Sequence, residues 1–354
     1  MHFAFTDEQG MIAETAKAFF AENATSERTR AAMADTGVDR ALWQAFTGEL
    51  GLAGVAIPEA MGGVGLGMVE LAILAEEAGR CTAAVPFLGS LALAAPIILA
   101  GGSDWQKARL LPRLASGELI ASFAEVNSDG TVSEGTLNGS ALHVPHGASA
   151  DLFVVVASNS VVIVERGAPG LSITPLTSMD QTRPYARLDF DGVAADTLAD
   201  PRGAMNAAFV TGWLAIAADA LGGAQACLDR TVAYAQERVQ FGRAIGSFQA
   251  VKHRLADMMV GIEQARSAVY WAACAIDEES DEALFAVHAA KAFACDTYTH
   301  CAGEMIQLHG GIGFTWEHDA HLFFKRARSN ASLLGTPDWH REQVACLAGL
   351  DEAA

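Results

Sequence analysis

The sequence is poor in cysteine, in basic residues and in long apolar runs. Its six cysteines are widely spaced and form no C-x-x-C pair, so neither a disulfide framework nor a metal site is expected. The 23 basic residues are outnumbered by 42 acidic ones, and the net charge of −19 argues against nucleic acid or anionic membranes as partners. No apolar run approaches the roughly 20 residues that span a bilayer, and residues 1–10 do not resemble a secretory signal. These absences predict a cytoplasmic protein with reduced thiols.

The periodicity of apolar residues changes twice along the chain and predicts three domains. With 354 residues, 51% of them hydrophobic, the chain can bury a large core. A capping box at Thr6 and Gln9 opens a helical pattern, which predicts an N-terminal helical domain over residues 1–119. Short strand-like runs predict a middle β domain over residues 120–200, and the helical period returns in a C-terminal four-helix bundle over residues 201–354. The expected fold class is α+β, mostly α, without the βαβ alternation of a Rossmann sheet.

Individual elements follow from the same patterns. Strands are predicted at residues 152–156, 161–165, 171–175 and 186–190, with turns at Asn138-Gly139, Ser158-Asn159 and Pro169-Gly170. Helices are predicted at residues 203–237, 246–278, 283–309 and 319–334. The second and third of these are apolar around much of their circumference, which favours either a subunit interface or a thick three-layer core.

Two C-terminal segments carry residue types that suit a nucleotide cofactor. They are residues 238–253 (RVQFGRAIGSFQAVKH) and residues 307–314 (QLHGGIGF). Arginine can place two donors on a pyrophosphate, and a pair of glycines lets the backbone approach a ligand closely. Amides can donate hydrogen bonds, and phenylalanine and isoleucine can form an apolar wall. The alternative is structural: a solvated arginine, core aromatic side chains and a glycine helix cap.

These two segments, together with residues 50–65 (LGLAGVAIPEAMGGVG) and the central sheet, resemble the acyl-CoA dehydrogenase family, flavoenzymes that desaturate acyl-CoA thioesters. The resemblance implies that FAD lies across a subunit boundary and that the R-x-x-F-G and Q-x-x-G-G segments contact the adenine and pyrophosphate of the neighbour's cofactor. It also implies electron-transfer flavoprotein as the electron acceptor. The residues assigned to cofactor binding are Arg238, Gln240, Phe241, Ile245, Phe248, Gln307, Gly310 and Gly311.

The flavin-ring side of the family site is altered in this chain. Family members open the sheet domain with a loop whose threonine or serine bonds the flavin, followed by a W-I-T sequence. The corresponding stretches here are residues 123–130 (FAEVNSDG) and residues 143–147 (HVPHG), which place His143 at the tryptophan position and Pro145 at the threonine position. Proline has neither a side-chain donor nor a backbone N–H, so this side of the site is expected to be degraded.

The catalytic base is missing as well. Desaturation removes an α-proton while hydride leaves the β-carbon, so a carboxylate within hydrogen-bond reach is needed. Most family members carry a glutamate at a position that holds Leu334 or Gly335 here. Others carry it about thirty residues before the R-x-x-F-G motif, which corresponds to Gly212, followed by Trp213 where an arginine is usual. The catalytic residue of this chain is therefore unassigned.

Three hypotheses follow. In the first, the chain is the base-lacking subunit of a heteromeric acyl-CoA dehydrogenase, assembled as an α2β2 tetramer with a paralogous subunit, as in relatives that shorten steroid side chains. In the second, it is a self-sufficient homo-oligomeric enzyme with a relocated base, for which Asp219, Asp338 and Glu342 are the nearest acids. In the third, it is a structural protein on the same scaffold.

Overall fold

The computed structural model describes residues 5–128, 130–158 and 160–350. The helices are α1 (Asp7–Asn23), α2 (Ser26–Met33), α3 (Arg40–Gly48), α4 (Met68–Arg80), α5 (Ala95–Gly101), α6 (Asp104–Ala115), α7 (Pro201–Glu237), α8 (Gln249–Asp277), α9 (Ala283–His309), α10 (Ala320–Ser332) and α11 (Pro337–Leu347). The strands are β1 (Ala121–Glu125), β2 (Thr131–Ser133), β3 (Thr136–Pro145), β4 (Leu152–Ala157), β5 (Ser160–Glu165), β6 (Leu171–Leu176), β7 (Tyr185–Ala194), β8 (Asp196–Thr197), β9 (Val239–Gln240) and β10 (Arg243–Ala244). The predicted fold class is confirmed, with 59% of the residues helical.

The chain forms two compact units. The first contains residues 1–26, 68–83 and 213–354, and the second contains residues 27–67 and 84–212. The three-domain division at residues 119 and 200 stays a prediction.

Helices α1, α4 and α8 to α11, with most of α7, make up the first unit. The predicted capping box is confirmed: the Thr6 hydroxyl accepts from the Gln9 backbone N–H at 3.2 Å, and the Gln9 side chain accepts from the Thr6 N–H at 3.0 Å. Of the apolar residues predicted for α8, Met258 is fully buried whereas Met259 is 57% exposed. This helix therefore has one face in the core and also carries apolar side chains, Met259 and Val260, in solvent.

The second unit is built around two four-stranded sheets, in the orders β1-β4-β5-β8 and β2-β3-β7-β6. Strands β1 and β4 are parallel, and the other pairs are antiparallel. Strand β4 is buried along its whole length because its six residues, LFVVVA, are apolar on both faces. Every strand predicted from the sequence is present: three agree within one residue of their expected bounds, and β7 extends four residues beyond its expected end.

One turn prediction is wrong. Asn138 and Gly139 lie inside β3, where the register against β7 shifts between Leu137 and Gly139. The hairpin turn falls instead at Glu134 and Gly135, with φ of 50° and 74°, as a two-residue β turn requires. Asn-Gly here serves a β-bulge, since glycine also tolerates the irregular backbone of a bulge. Asn159, the second residue of another predicted turn, lies outside the described residues.

Within the described part of the chain, one helix is long and apolar enough to cross a membrane by length and composition alone. This helix is α7, and 83% of its most apolar stretch is buried. The expectation that no segment reaches that length is therefore corrected for α7. Its burial is typical of a core helix, because such helices are apolar on every side.

Candidate functional site

The first predicted cofactor segment, residues 238–248, forms a small hairpin after α7. Strands β9 and β10 pair through Gln240 and Arg243, and the turn between them holds Phe241 and Gly242 at φ of 54° and 78°. The turn places the Phe241 side chain in solvent, where it is 93% exposed. Arg238 and Gln240 are exposed as well. The reading of Phe241 as an ordinary core residue is therefore wrong.

The remaining apolar residues of this segment support the hairpin from one side. Ile245 and Phe248 are half-buried, and the Phe248 ring lies 6.2 Å from the Phe241 ring in an edge-on arrangement. The Arg243 guanidinium lies over the Phe248 ring at 4.0 Å from its centroid, which is a cation–π geometry. Sequence reasoning did not assign Arg243 to the site, although it is a second arginine in the same segment as Arg238.

The second predicted segment follows the end of α9. Gln307 is exposed on the last turn, and the exposed Gly310 leaves the helix at φ +62°, with Gly311 behind it. A Cβ added at either glycine would meet no atom within 4 Å. The glycines therefore face open space rather than a packed neighbour. Phe314, at the end of the short helix Gly310–Phe314, is 86% exposed.

Tyr234 connects the two segments at their base. Its ring stacks on the buried ring of His309 with centroids 4.3 Å apart, and its hydroxyl donates to the His309 carbonyl at 3.3 Å. Its own carbonyl accepts from the Arg238 N–H at 2.9 Å. The last turn of α7 is thus fixed to the start of the glycine turn. Sequence analysis missed this residue, whose only signal is its position one helical turn before Arg238.

The two segments and the helices beside them are locally basic. Residues 230–254 and 309–328 together contain eight arginines and lysines against three acids, in a chain whose net charge is −19. Such a local excess of cations attracts an anionic ligand, and arginine suits phosphate oxygens best because its donors are planar and paired.

These residues fit FAD. Arg238 and Arg243 provide cations for a pyrophosphate, and Gln240 and Gln307 provide exposed amides. At the glycine turn, a ligand can approach the backbone with no Cβ in the way. Phe241 and Phe314 are largely exposed in the described part of this chain, and exposed apolar patches mark sites for a ligand or a partner. All eight predicted cofactor residues lie in these two segments, and their role in binding stays a prediction.

The two family positions for the catalytic base meet in space. Leu334 and Gly335 form the sharp turn between α10 and α11, with φ of 53° and 104°. The Trp213 indole N–H donates to the Leu334 carbonyl at 2.8 Å, across 121 residues of sequence. Because Trp213 follows Gly212 directly, one contact brings both positions together.

Four rings pack at this point, and we call them the aromatic cluster: Trp213, His288, Trp339 and His340. The Trp213 ring lies 4.4 Å from His288, 5.4 Å from His340 and 5.9 Å from Trp339. His340 Nε2 lies 3.2 Å from the Leu334 carbonyl and so carries the proton, which leaves its Nδ1 to accept from His288 Nδ1–H at 2.7 Å. The His340 imidazole, whose Nδ1 accepts, is therefore neutral in this arrangement.

Burial is the main reason that the two histidines stay neutral. Desolvation lowers the pKa of His288 to about 4. Desolvation, followed by the charge of Lys291, lowers the pKa of His340 to about 3. Lys291 is fully buried, and its ammonium donates to the Asn330 carbonyl at 2.8 Å, where α10 ends. The cluster is thus a packed and uncharged structure above a buried cation.

The three acids considered as relocated bases are placed differently. Asp219 is buried, accepts from the Asn330 side chain at 2.6 Å and lies 3.7 Å from the Arg326 guanidinium. Asp338 is exposed and paired with Arg341 at 2.7 Å, and Glu342 is exposed on α11. Asp219 is therefore held in a structural ion pair, and the other two face solvent.

The residues at the altered flavin-ring positions lie in β3. Pro145 is buried, and its carbonyl accepts from the Ser122 hydroxyl at 2.5 Å. His143 is exposed at φ +57°, with its ring 6.0 Å from that of Tyr185. Pro145 therefore offers no donor, as expected from the sequence. Asp129, within the other altered stretch, lies outside the described residues.

Comparison with known proteins identifies the family. Residues 6–118 match the acyl-CoA dehydrogenase N-terminal domain, and residues 202–347 match the acyl-CoA dehydrogenase C-terminal domain. The chain is similar to the acyl-CoA dehydrogenase IpdE2 of Mycobacterium tuberculosis, with 38% identity over 332 residues that cover 94% of each chain.

Two solved structures agree with this assignment over the whole fold. The Tcur3481–Tcur3483 steroid ACAD has a TM-score of 0.87 at 30% identity, covering 98% of this chain and 99% of the other. The ChsE4–ChsE5 complex from Mycobacterium tuberculosis has a TM-score of 0.89 at 27% identity, covering 100% of both chains. The chain therefore belongs to the acyl-CoA dehydrogenase family of FAD-dependent oxidoreductases.

Proposed function

We propose that this chain is the base-lacking subunit of a heteromeric acyl-CoA dehydrogenase. Its role is to bind the adenine and pyrophosphate half of an FAD whose flavin ring and catalytic glutamate belong to a paralogous partner. The observation that carries the proposal is the contact between Trp213 and Leu334, since it brings both family base positions to one place and neither holds an acid.

FAD, when bound, accepts the hydride that leaves the β-carbon of the acyl-CoA. The residues of this chain contribute binding and orientation. Arg238 pairs with phosphate oxygens, a charge-assisted contact about twice as strong as a neutral hydrogen bond. Phe241 and Phe248 cover the adenine, and Gly310 with Gly311 lets the backbone approach the cofactor.

The exposure of the cofactor residues supports a role at a subunit boundary. Phe241 and Phe314 are almost fully in solvent in the single chain, which suits a contact with a ligand or a partner subunit. The resemblance to one chain of the ChsE4–ChsE5 complex and to the Tcur3481–Tcur3483 steroid ACAD adds a precedent for two different subunits. An α2β2 tetramer acting on a fatty or steroid acyl-CoA, with electron-transfer flavoprotein as acceptor, fits these similarities.

A self-sufficient enzyme with a relocated base is the second candidate. It would be isolated with bound FAD and would bleach on addition of acyl-CoA. The environment of Asp219 argues against it, because this buried carboxylate is already held by the Asn330 side chain and the Arg326 guanidinium. A purely structural protein is the third candidate, and it would stay colourless with any partner.

The proposal is tested by co-expressing the chain with the product of a neighbouring paralogous gene. We expect about one FAD per pair of subunits in the complex and little or none on the chain alone. Arg238→Ala should lower FAD retention by the complex without changing the melting temperature of the chain, since the arginine is exposed. Replacing the catalytic glutamate of the partner by alanine should abolish turnover, and unchanged turnover would refute the proposal.

A further inference from the structure

The turn at Leu334 and Gly335 leaves no room for a side chain at position 335. A Cβ built on Gly335 would lie 2.5 Å from Cε3 of Trp339 and 3.0 Å from Nε2 of His340. The turn is also held by Lys291, whose ammonium lies 3.4 Å from the Gly335 carbonyl. A larger residue at position 335 therefore requires the rings to move.

Trp213 packs against the same turn at Leu334 and Gly335. It is only 9% exposed, and its indole contacts the rings of His288, Trp339 and His340 while its N–H is bonded to Leu334. A base must lie within hydrogen-bond reach of the proton that it removes, so the α-carbon of a thioester would have to sit beside this cluster. The four rings of the aromatic cluster fill the space next to Leu334 and Gly335 within the first unit.

We propose that the aromatic cluster excludes the acyl chain of a thioester from this subunit. This inference rests on the proposed function and extends it: the chain has lost its acid and has also filled the space that the acid served. Trp213 is the ring that closes the space, since it is the largest buried ring of the cluster and its N–H is bonded to the Leu334 carbonyl.

The test compares the affinities of octanoyl-CoA and free CoA for the full-length chain by isothermal titration calorimetry. Burial of two methylene groups corresponds to about a tenfold change in Kd. In the native chain the two affinities should agree within about twofold, because the acyl chain gains no burial. In Trp213→Ala, octanoyl-CoA should bind at least about tenfold more tightly than CoA, as the acyl chain enters the freed volume. Trp105→Ala, at an exposed tryptophan outside the cluster, is the matched control and should behave as the native chain.

Two results would overturn the inference. One is a native chain that already prefers octanoyl-CoA by tenfold, and the other is a Trp213→Ala chain that folds and shows no preference. If Trp213→Ala does not fold, Trp339→Ala opens the cluster from its more exposed side and is judged by the same ratio. The ratio is independent of flavin content, so FAD retained by the chain alone would refute the proposed function and leave the result on the acyl chain standing.

Discussion

The Phe241→Ala substitution can distinguish a structural role of this side chain from a role in cofactor binding. In the single chain its ring is 93% exposed, so Phe241→Ala removes almost no buried surface. Surface substitutions of this kind change the free energy of unfolding by less than about 0.5 kcal/mol. In the assembled complex the ring is proposed to be covered by FAD, and full burial of a phenylalanine contributes about 1.5–3 kcal/mol. The variant should therefore weaken FAD binding by roughly ten- to a hundredfold while leaving the chain as stable as before.

The assay has two parts. FAD affinity is measured on the complex with the partner by fluorescence during dialysis, and chain stability is measured by urea unfolding of the isolated chain. Met11→Ala, at a 68% exposed position on α1, is the control and should change neither quantity. A Phe241→Ala chain that is destabilised by several kcal/mol, or a complex that retains FAD with native affinity, would contradict the reasoning.

Three further predictions concern the first unit. Asp219→Asn should lower the free energy of unfolding by about 3–5 kcal/mol, because it removes a carboxylate from beside the buried Arg326; a loss of turnover at unchanged stability would instead favour Asp219 as a relocated base. Burial lowers the pKa of His288 from an ordinary value of 6.5 to about 4, so between these pH values the unfolded chain binds more protons than the folded chain. The contribution of His288 to stability is therefore full above pH 6.5 and is lost as the pH falls toward 4. Urea unfolding across this range should show that slope, and His288→Phe should reduce it. Gly335→Ala should lower stability by more than Gly349→Ala, which also has a positive φ but open space around its Cβ, and thermal unfolding of both checks this.

Much of the fold follows from local patterns that the sequence displays directly. The helical period of residues 283–309 coincides with α9, and the apolar run at residues 152–156 lies in β4 because a strand buried on both faces needs no alternation. Asn138-Gly139 was misplaced for a physical reason, since the same glycine flexibility serves a hairpin turn and a β-bulge.

The site could be predicted less completely. Motif spacing predicted two cofactor segments, but whether Phe241 is a core residue or an exposed one depends on the turn that holds it. The contact between Trp213 and Leu334 joins residues far apart in sequence, and no periodicity indicates such a contact. Tyr234 was missed because its function depends on a ring, that of His309, from a different helix.

The central claim is that this chain binds one half of an FAD whose reactive half belongs to another subunit. The most direct measurement is the FAD content of the purified chain, alone and after co-expression with its paralogous partner, determined by flavin absorbance against protein concentration. The account predicts a nearly colourless chain and a yellow complex with one FAD for every two subunits. A chain that retains one FAD per subunit by itself, and whose flavin is bleached by acyl-CoA, would contradict it.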